Sequence, residues 1–422
     1  MDKERNTRRV VVTGYGAVTA LGGNAPQNWQ AIMANRLAYR YHDKSAAGIH
    51  ARFFALLEAE PALEGVAARV SRRLPRFARL ALVAASEAID MAFSSGHVRP
   101  GHFYSSLDCG VIIGSGWGGQ DEIMQNNADY LQSGMGQLFG CFHAMPNIAT
   151  AICGQHWQLR GYQSSPAAAC ATGGIAIGDA FEVIRSGRAS MMLAGASESL
   201  SGNGAIWNID ALRLLSREQK DITKASCPFS RERSGFVLAE GAAVLCLEER
   251  EAALARGATI LGEVKGYGNF SDAFDLTAPA EDPQAKVKTI RWALEQAGLG
   301  NHEIDYINAH GTSTAQSDVN ETAAIKAALG RDAYRTPISS TKSYTGHLLA
   351  ASGSFEAIVC LQALQQQMMP ATCHLHESDP ECDLDYIREG HRRGRLRNVM
   401  SLNFGFGGAN AALVFGNHNG EW

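Results

Sequence analysis

The sequence predicts an α/β chain built from two similar halves, on three observations. Short β-branched or apolar runs alternate with longer amphipathic stretches along the whole chain, the pattern of a sheet covered by helices. The run Val10-Val11-Val12-Thr13 leads into Gly14-Tyr15-Gly16, and Thr259 to Lys265 leads into Gly266-Tyr267-Gly268. Two stretches faced with small residues, Ala171 to Phe181 and Ala350 to Ile358, read as helices able to pack closely on one another. The polar segment Glu248 to Gly257 divides the halves, giving residues 1–257 and 258–422.

Taken in order, Arg9 to Gly14 reads as a buried strand meeting a tight turn at Gly-Tyr-Gly. Asn28 to Leu37 reads as a helix. Residues 45–75 are rich in Ala and Arg and carry no clear period, whereas Phe77 to Phe93 has apolar residues at helical spacing. Gly110 to Gly114 is a second strand, and helices follow at Ile148 to Cys153 and Ala171 to Arg185. Strands are expected at Met191 to Ala194, Ala242 to Leu247 and Ile304 to Ile307, and a helix from Leu348 to Leu364.

With 422 residues and roughly 150 per domain, two or three domains are expected. A composition of 45% hydrophobic and 19% charged residues is ordinary globular usage, so a disordered chain is excluded. A net charge of -4 argues against a nucleic-acid binder, which needs a basic face to neutralise phosphates. Nine cysteines scattered without paired spacing, behind an N-terminus without a signal peptide, point to a reducing cytoplasm. The most apolar helix, Leu348 to Leu364, is interrupted by Ser352, Ser354 and Glu356, short of the ~20 apolar residues of a membrane span.

The chemistry concentrates in three segments. In Pro166-Ala-Ala-Ala-Cys170-Ala-Thr-Gly-Gly-Ile, a cysteine sits where an apolar run turns into a helix, so the helix dipole and free N–H groups favour a thiolate. Taken alone, it fits a buried structural cysteine better, and its context must lift it above that reading. Asn308-Ala-His310-Gly-Thr-Ser-Thr314 follows a strand, and Lys342-Ser-Tyr-Thr-Gly-His347 precedes a helix; both histidines stand at element ends, where function collects. Each on its own also fits a packed or exposed bystander.

Together these segments resemble the β-ketoacyl-acyl-carrier-protein synthases, the condensing enzymes of fatty-acid synthesis, and most of all their type II branch. The resemblance runs over nearly the whole chain. It includes Pro228-Phe-Ser-Arg-Glu-Arg-Ser-Gly-Phe-Val-Leu-Ala-Glu-Gly, Lys342 in Ser-Ser-Thr-Lys, and Phe404-Gly-Phe406-Gly-Gly-Ala-Asn. It implies a thiolase-like αβαβα sandwich of two duplicated halves, normally a homodimer, the first half carrying the nucleophile and the second both catalytic histidines. It implies that Cys170 takes an acyl chain from an acyl carrier protein, and that His310 and His347 promote decarboxylation of a malonyl thioester. The N–H groups of Cys170 and Phe406 would form an oxyanion hole, with Phe404 in the same gating turn. Lys342 would tune the histidine site, its alternative being an exposed surface lysine, and neither a cofactor nor a metal is implied.

Departures from the family pattern are Ala168 two residues before the nucleophile, Leu402 before the Gly-rich turn, Arg233-Ser-Gly, and a short segment from Asp272 to Pro283. Trp117 and Ile209 are expected to line the acyl pocket, where the bulky indole would favour short or unusually shaped primers. Arg72 and Arg76, in a crowd with Arg69, Arg73 and Arg79, are expected to dock the acidic carrier.

Rival readings are weaker. Gly114-Ser-Gly116-Trp-Gly-Gly119 fits a dinucleotide fingerprint but does not open the first βαβ unit and leads to no acidic ribose ligand. Cys373, His374, His376 and Cys382 lack paired zinc-ligand spacing. A degradative thiolase would carry a second cysteine near the Gly-rich turn. Papain-like proteolysis has no use for two such histidines beside a lysine. A specialised polyketide or polyene ketosynthase stays open. A non-catalytic chain-length-factor-like partner is opposed by the presence of Cys170 and both histidines.

Overall fold

The computed structural model describes residues 8–59, 62–63, 66–93 and 99–417. Its main sheet has ten strands: β1 (Val10–Thr19), β2 (Cys109–Gly114), β3 (Gln163–Ser164), β4 (Met191–Glu198), β5 (Gly241–Glu249), β6 (Gly262–Ser271), β7 (Tyr306–Asn308), β8 (Ile338–Ser339), β9 (Asn398–Phe404) and β10 (Ala409–Gly416). They lie in the order β8-β7-β9-β10-β6-β1-β5-β4-β2-β3. Read outward from the centre, β1 to β5 and β6 to β10 follow one sequence: first, fifth, fourth, second, third. Directions also agree, because first–fifth and fifth–fourth pairs are antiparallel while fourth–second and second–third pairs are parallel in both halves. The halves meet through an antiparallel β1–β6 pairing, Val10 opposite Val264.

The Gly-Tyr-Gly segments are not turns, contrary to the sequence expectation. β1 and β6 run straight through them. A Cβ added at Gly14 would lie 2.1 Å from the Ala88 carbonyl oxygen and one at Gly16 2.2 Å from that of Ala84. At Gly266 and Gly268 it would lie 2.0 Å from the carbonyl oxygens of Ala293 and Thr289. Both strands use glycine to let a helix backbone rest directly on the sheet, at two positions one helical turn apart. The helices concerned, Arg76–Ala92 and Gln284–Ala297, form the outer layers together with Ile148–Trp157 and Ala315–Leu329.

Helices Thr172–Arg185 and Ser352–Gln366 form the middle layer and touch strands of both halves as well as each other. Their small residues act as expected: a Cβ at Gly173 would sit 2.5 Å from the Ser354 nitrogen, and one at Gly353 2.5 Å from the Gly174 nitrogen. The result is a five-layer αβαβα sandwich, the two halves of the continuous sheet forming its two β layers, with one core cluster between those halves and one under each outer layer.

Boundaries moved where local chemistry overrides pattern. The helix expected from Asn28 forms at Ala25–Met33, started by an Asn24 cap that accepts from the Gln27 N–H. The described residues between 45 and 75 hold only short pieces, among them Phe53–Ala55 and Ala68–Ser71. The helix expected from Leu348 begins at Ser352, after the tight turn Leu349–Ala351. Among the described residues, no helix is long and apolar enough to cross a membrane.

Candidate active site

The nucleophile turn is strained into place. Ala169 has φ of 46°, a left-handed value uncommon for a residue with a Cβ, and Ala169–Ala171 form a 3₁₀ turn leading into the Thr172 helix. Thr172 braces it: its Oγ1 accepts from the Ala168 N–H at 2.8 Å and donates to the Ala169 carbonyl at 2.7 Å. The Phe404–Gly408 loop lies against this turn because residue 405 is glycine, a Cβ there falling 2.7 Å from the Ala168 oxygen and 3.1 Å from the Cys170 nitrogen. Gly407 and Gly408, with φ of 73° and 78°, complete the loop.

Cys170 is buried, and its thiol receives the N–H groups of Phe406 and of Cys170 itself. Burial raises the thiol to about 12, outweighing the Lys342 charge and both N–H donors that lower it. Burial therefore opposes the thiolate that the helix dipole favours.

His310 follows β7. Its N–H and that of Gly311 donate to the two carboxylate oxygens of Glu321 at 2.7 and 2.8 Å, while the Thr312 N–H donates to Asp318 at 3.1 Å. Both carboxylates are buried, one turn apart on the following helix, and burial raises Asp318 to about 6 and Glu321 to about 7. Sequence reasoning missed them; the signal was Asp-x-x-Glu just after the His-Gly-Thr-Ser-Thr segment.

His347 sits on a main chain turned by Gly346 (φ 70°) and bonded to Val237 at 2.7 Å. Its Nδ1 accepts from the Leu349 N–H at 3.2 Å and meets the Ser352 Oγ at 2.8 Å. An Nδ1 that accepts leaves the proton on Nε2, so the ring presents an N–H donor on its other side. The imidazoles of His310 and His347 lie edge to face with centroids 5.6 Å apart. Burial first, then the Lys342 charge, hold both well below the usual histidine range, so both are neutral.

Lys342 is buried, which overturns the exposed-lysine alternative. Its Nζ donates to the His310 carbonyl at 2.5 Å and to Glu356, whose other oxygen accepts from Asn403 at 2.7 Å. The roles of Glu356 and Asn403 were also missed: Glu356 read only as an interruption of the apolar helix, and Asn403 only as the start of the Gly-rich turn. A cavity of about 460 Å³ brings Cys170, His310, His347, Phe404 and Phe406 together and runs outward past Thr312, Thr314 and Arg217.

Other expected site residues fall elsewhere. Trp117 is 39% exposed and Ile209 is buried in a cluster with Leu215, Phe236 and Leu349, of which Phe236 reaches the cavity wall; neither Trp117 nor Ile209 lines the cavity itself. Arg72 is exposed. Arg76 is not presented to a carrier: its guanidinium turns inward and pairs with the fully buried Glu240 at 2.9 Å. Among the described residues no group of three His, Cys, Asp or Glu is arranged to hold a metal.

A buried thiol facing two backbone donors, beside two neutral imidazoles, makes a site that can carry a thioester on cysteine and stabilise charge on a second carbonyl. Comparison places the chain accordingly. Residues 7–253 match the beta-ketoacyl synthase N-terminal domain and residues 261–376 the C-terminal domain. The 3-oxoacyl-[acyl-carrier-protein] synthase 2 of Synechocystis is 38% identical, over 97% of this chain and 98% of its own. A putative polyketide beta-ketoacyl synthase 1 of Streptomyces cyaneus is 37% identical with the same coverage. A beta-ketoacyl synthase from Burkholderia phymatum superposes with a TM-score of 0.89 at 36% identity, covering 97% of this chain and 99% of that one. A type II polyketide ketosynthase in complex with its acyl-carrier protein gives 0.90 at 31% identity, covering 98% and 100%. The chain belongs to the beta-ketoacyl synthase family.

Proposed function

We propose that the protein is a 3-oxoacyl-[acyl-carrier-protein] synthase, an acyltransferase that joins an acyl group on Cys170 to a malonyl unit with loss of CO₂. The Cys170 sulfur attacks the thioester carbonyl of an acyl carrier, giving up its proton; the oxyanion rests on the N–H groups of Cys170 and Phe406, and the carrier thiol leaves with a proton. A malonyl carrier then enters. Its carboxylate C–C bond breaks, CO₂ departs, and the electron pair forms an enolate whose oxygen accepts from Nε2–H of His310 and His347. The enolate carbon attacks the carbonyl of the acyl thioester, forming the new C–C bond, and the Cys170 sulfur leaves as a thiolate that takes up a proton from solvent to restore the thiol.

The observation that carries this reading is the opening of the Cys170 thiol, the Phe406 loop and both imidazoles into one cavity. Exposed Arg69, Arg72 and Arg73 are the charges we assign to carrier docking. A cytoplasmic homodimer, with halves dividing at residues 1–257 and 258–422 and no cofactor, completes the proposal. The polyketide relative supports a second reading, in which the same chemistry serves a dedicated polyketide or polyene pathway. Incubation with a panel of acyl carriers and malonyl carrier tests both: the expected result is CO₂ release and a 3-oxoacyl product two carbons longer. The preferred chain separates bulk lipid from dedicated synthesis. Absence of CO₂ release and product with every primer would overturn the proposal.

A further inference from the structure

One buried cation in the cavity wall has no part in the chemistry above. Lys286, on the Gln284–Ala297 helix, lines the cavity with its side chain 5% exposed. Its ammonium donates to the Asn320 side-chain oxygen at 2.5 Å, lies 3.4 Å from Oδ2 of Asp272, and sits 5.4 Å from the centroid of the Phe404 ring. Asp272, 4% exposed, opens the short segment leading to Pro283. Its Oδ1 accepts from the Asn410 side chain at 2.7 Å and its backbone N–H donates to Gly408 at 2.9 Å. Gly407 donates to Leu276 in the same segment at 2.8 Å.

This network grips the loop that carries the Phe406 N–H. The loop has two bonds of its own, Gly405 N–H to Ala409 at 2.7 Å and Gly408 N–H to Gly405 at 3.2 Å, but with Gly407 and Gly408 at positive φ its placement against Cys170 also depends on what grips it from outside. The outside hold is Asp272. A carboxylate this buried needs a cation or a full set of donors to stay where it is, and Lys286 is the cation beside it.

Resting on the condensing-enzyme reading above, we propose that Lys286 is a positioning residue that acts through Asp272 to hold the Phe404–Gly408 loop, and with it the Phe406 oxyanion donor, against Cys170. Full removal of one oxyanion donor costs on the order of 10²- to 10³-fold in turnover. A loosened donor costs less.

The test is steady-state condensation by full-length Lys286→Met, Lys286→Arg, Asp272→Asn and the Lys286→Met/Asp272→Asn double variant. Lys286→Met is expected to lower kcat about tenfold with KM for the acyl carrier within about twofold. Lys286→Arg should recover most of the loss, and the double variant should be no slower than the worse single one, because both changes release the same loop. An unchanged kcat in Lys286→Met would overturn the proposal. So would a loss expressed entirely in KM, which would make Lys286 a substrate contact, or losses that multiply in the double variant. If Lys286→Met does not fold, Lys286→Arg at wild-type kcat beside Lys286→Gln at about a tenth of it supports the proposal, and equal kcat in the two overturns it. A wild type that neither self-acylates nor condenses would instead bring down the functional reading, and this proposal with it.

Discussion

The two halves of the molecule share strand order, strand direction and an elbow leading into the middle-layer helix, yet they do different work. In the first half the elbow has Ala169 at φ 46°, then Cys170; in the second, Leu349 at φ 50°, then Ala350. The Cys170 N–H faces a thiol and an open cavity. The Ala350 N–H is taken by the buried carboxylate of Glu198, which also accepts from Ser115, Gly116 and Trp117 at 2.9, 2.9 and 3.2 Å. In the proposed chemistry the first elbow is the anion site for a substrate; at the second a protein carboxylate already takes the corresponding N–H. The loops after the second strands differ in the same sense: the second half places His310 there, and the first places Ser115 and Gly116, which serve Glu198. Duplication supplied two frames, and side chains made one active centre between them.

The harshest way to break this comparison is to move the nucleophile. The double variant Cys170→Ala/Ala350→Cys keeps one thiol at an elbow but puts it beside Glu198. Condensation is expected to fall about 10³-fold or more, measured as CO₂ release, because the N–H of the second elbow is already taken by Glu198 and leaves no vacant oxyanion donor beside the moved thiol. Restored turnover would show the elbows to be interchangeable.

Removing the second half's contribution comes next. His310→Ala and His347→Ala should retain acylation of Cys170, seen by intact mass, but lose malonyl decarboxylation by about 10²-fold or more. If both variants decarboxylate normally, the enolate is stabilised elsewhere.

Lys342 and Glu356 sharpen the comparison at the level of stability. Lys342→Met strands a buried carboxylate and is expected to cost about 3–5 kcal/mol in denaturant unfolding, while Lys342→Met/Glu356→Leu should recover much of that. Equal losses in both variants would mean the pair does not act as a unit.

The smallest effect concerns the filled elbow. Burial raises Glu198 to about 7 against an ordinary 4.5. Between those values the folded protein keeps a proton that the unfolded chain has released, so this group's contribution is complete below about 4.5 and is lost as pH rises through 7. Melting temperatures of wild type should therefore fall more steeply from pH 5 to 8 than those of Glu198→Gln; parallel curves would contradict the raised value.

The parts legible in sequence were those written as contiguous strings. Cys170, His310 and His347 stand in distinctive short segments at element ends, and small residues in two long helices announced the middle layer. Gly-Tyr-Gly was misread as a turn because glycine supplies either positive φ or close approach, and only the helix lying across it reveals which. Arg76 was counted with its exposed neighbours, since nothing local shows that Glu240, far along the chain, sits buried within reach. The burial of Glu321, Glu356 and Lys286 was not legible for the same reason: a charged residue in a helix normally faces water, and its burial is decided by long-range packing.

The central claim, that the open elbow alone carries the acyl group, is tested most directly by peptide mapping of the wild-type protein after incubation with an acyl carrier thioester. The acyl mass should sit on the peptide containing Cys170 and on no peptide carrying another cysteine. An acyl group found on Cys227, Cys373 or any other thiol, with Cys170 unmodified, would contradict the account.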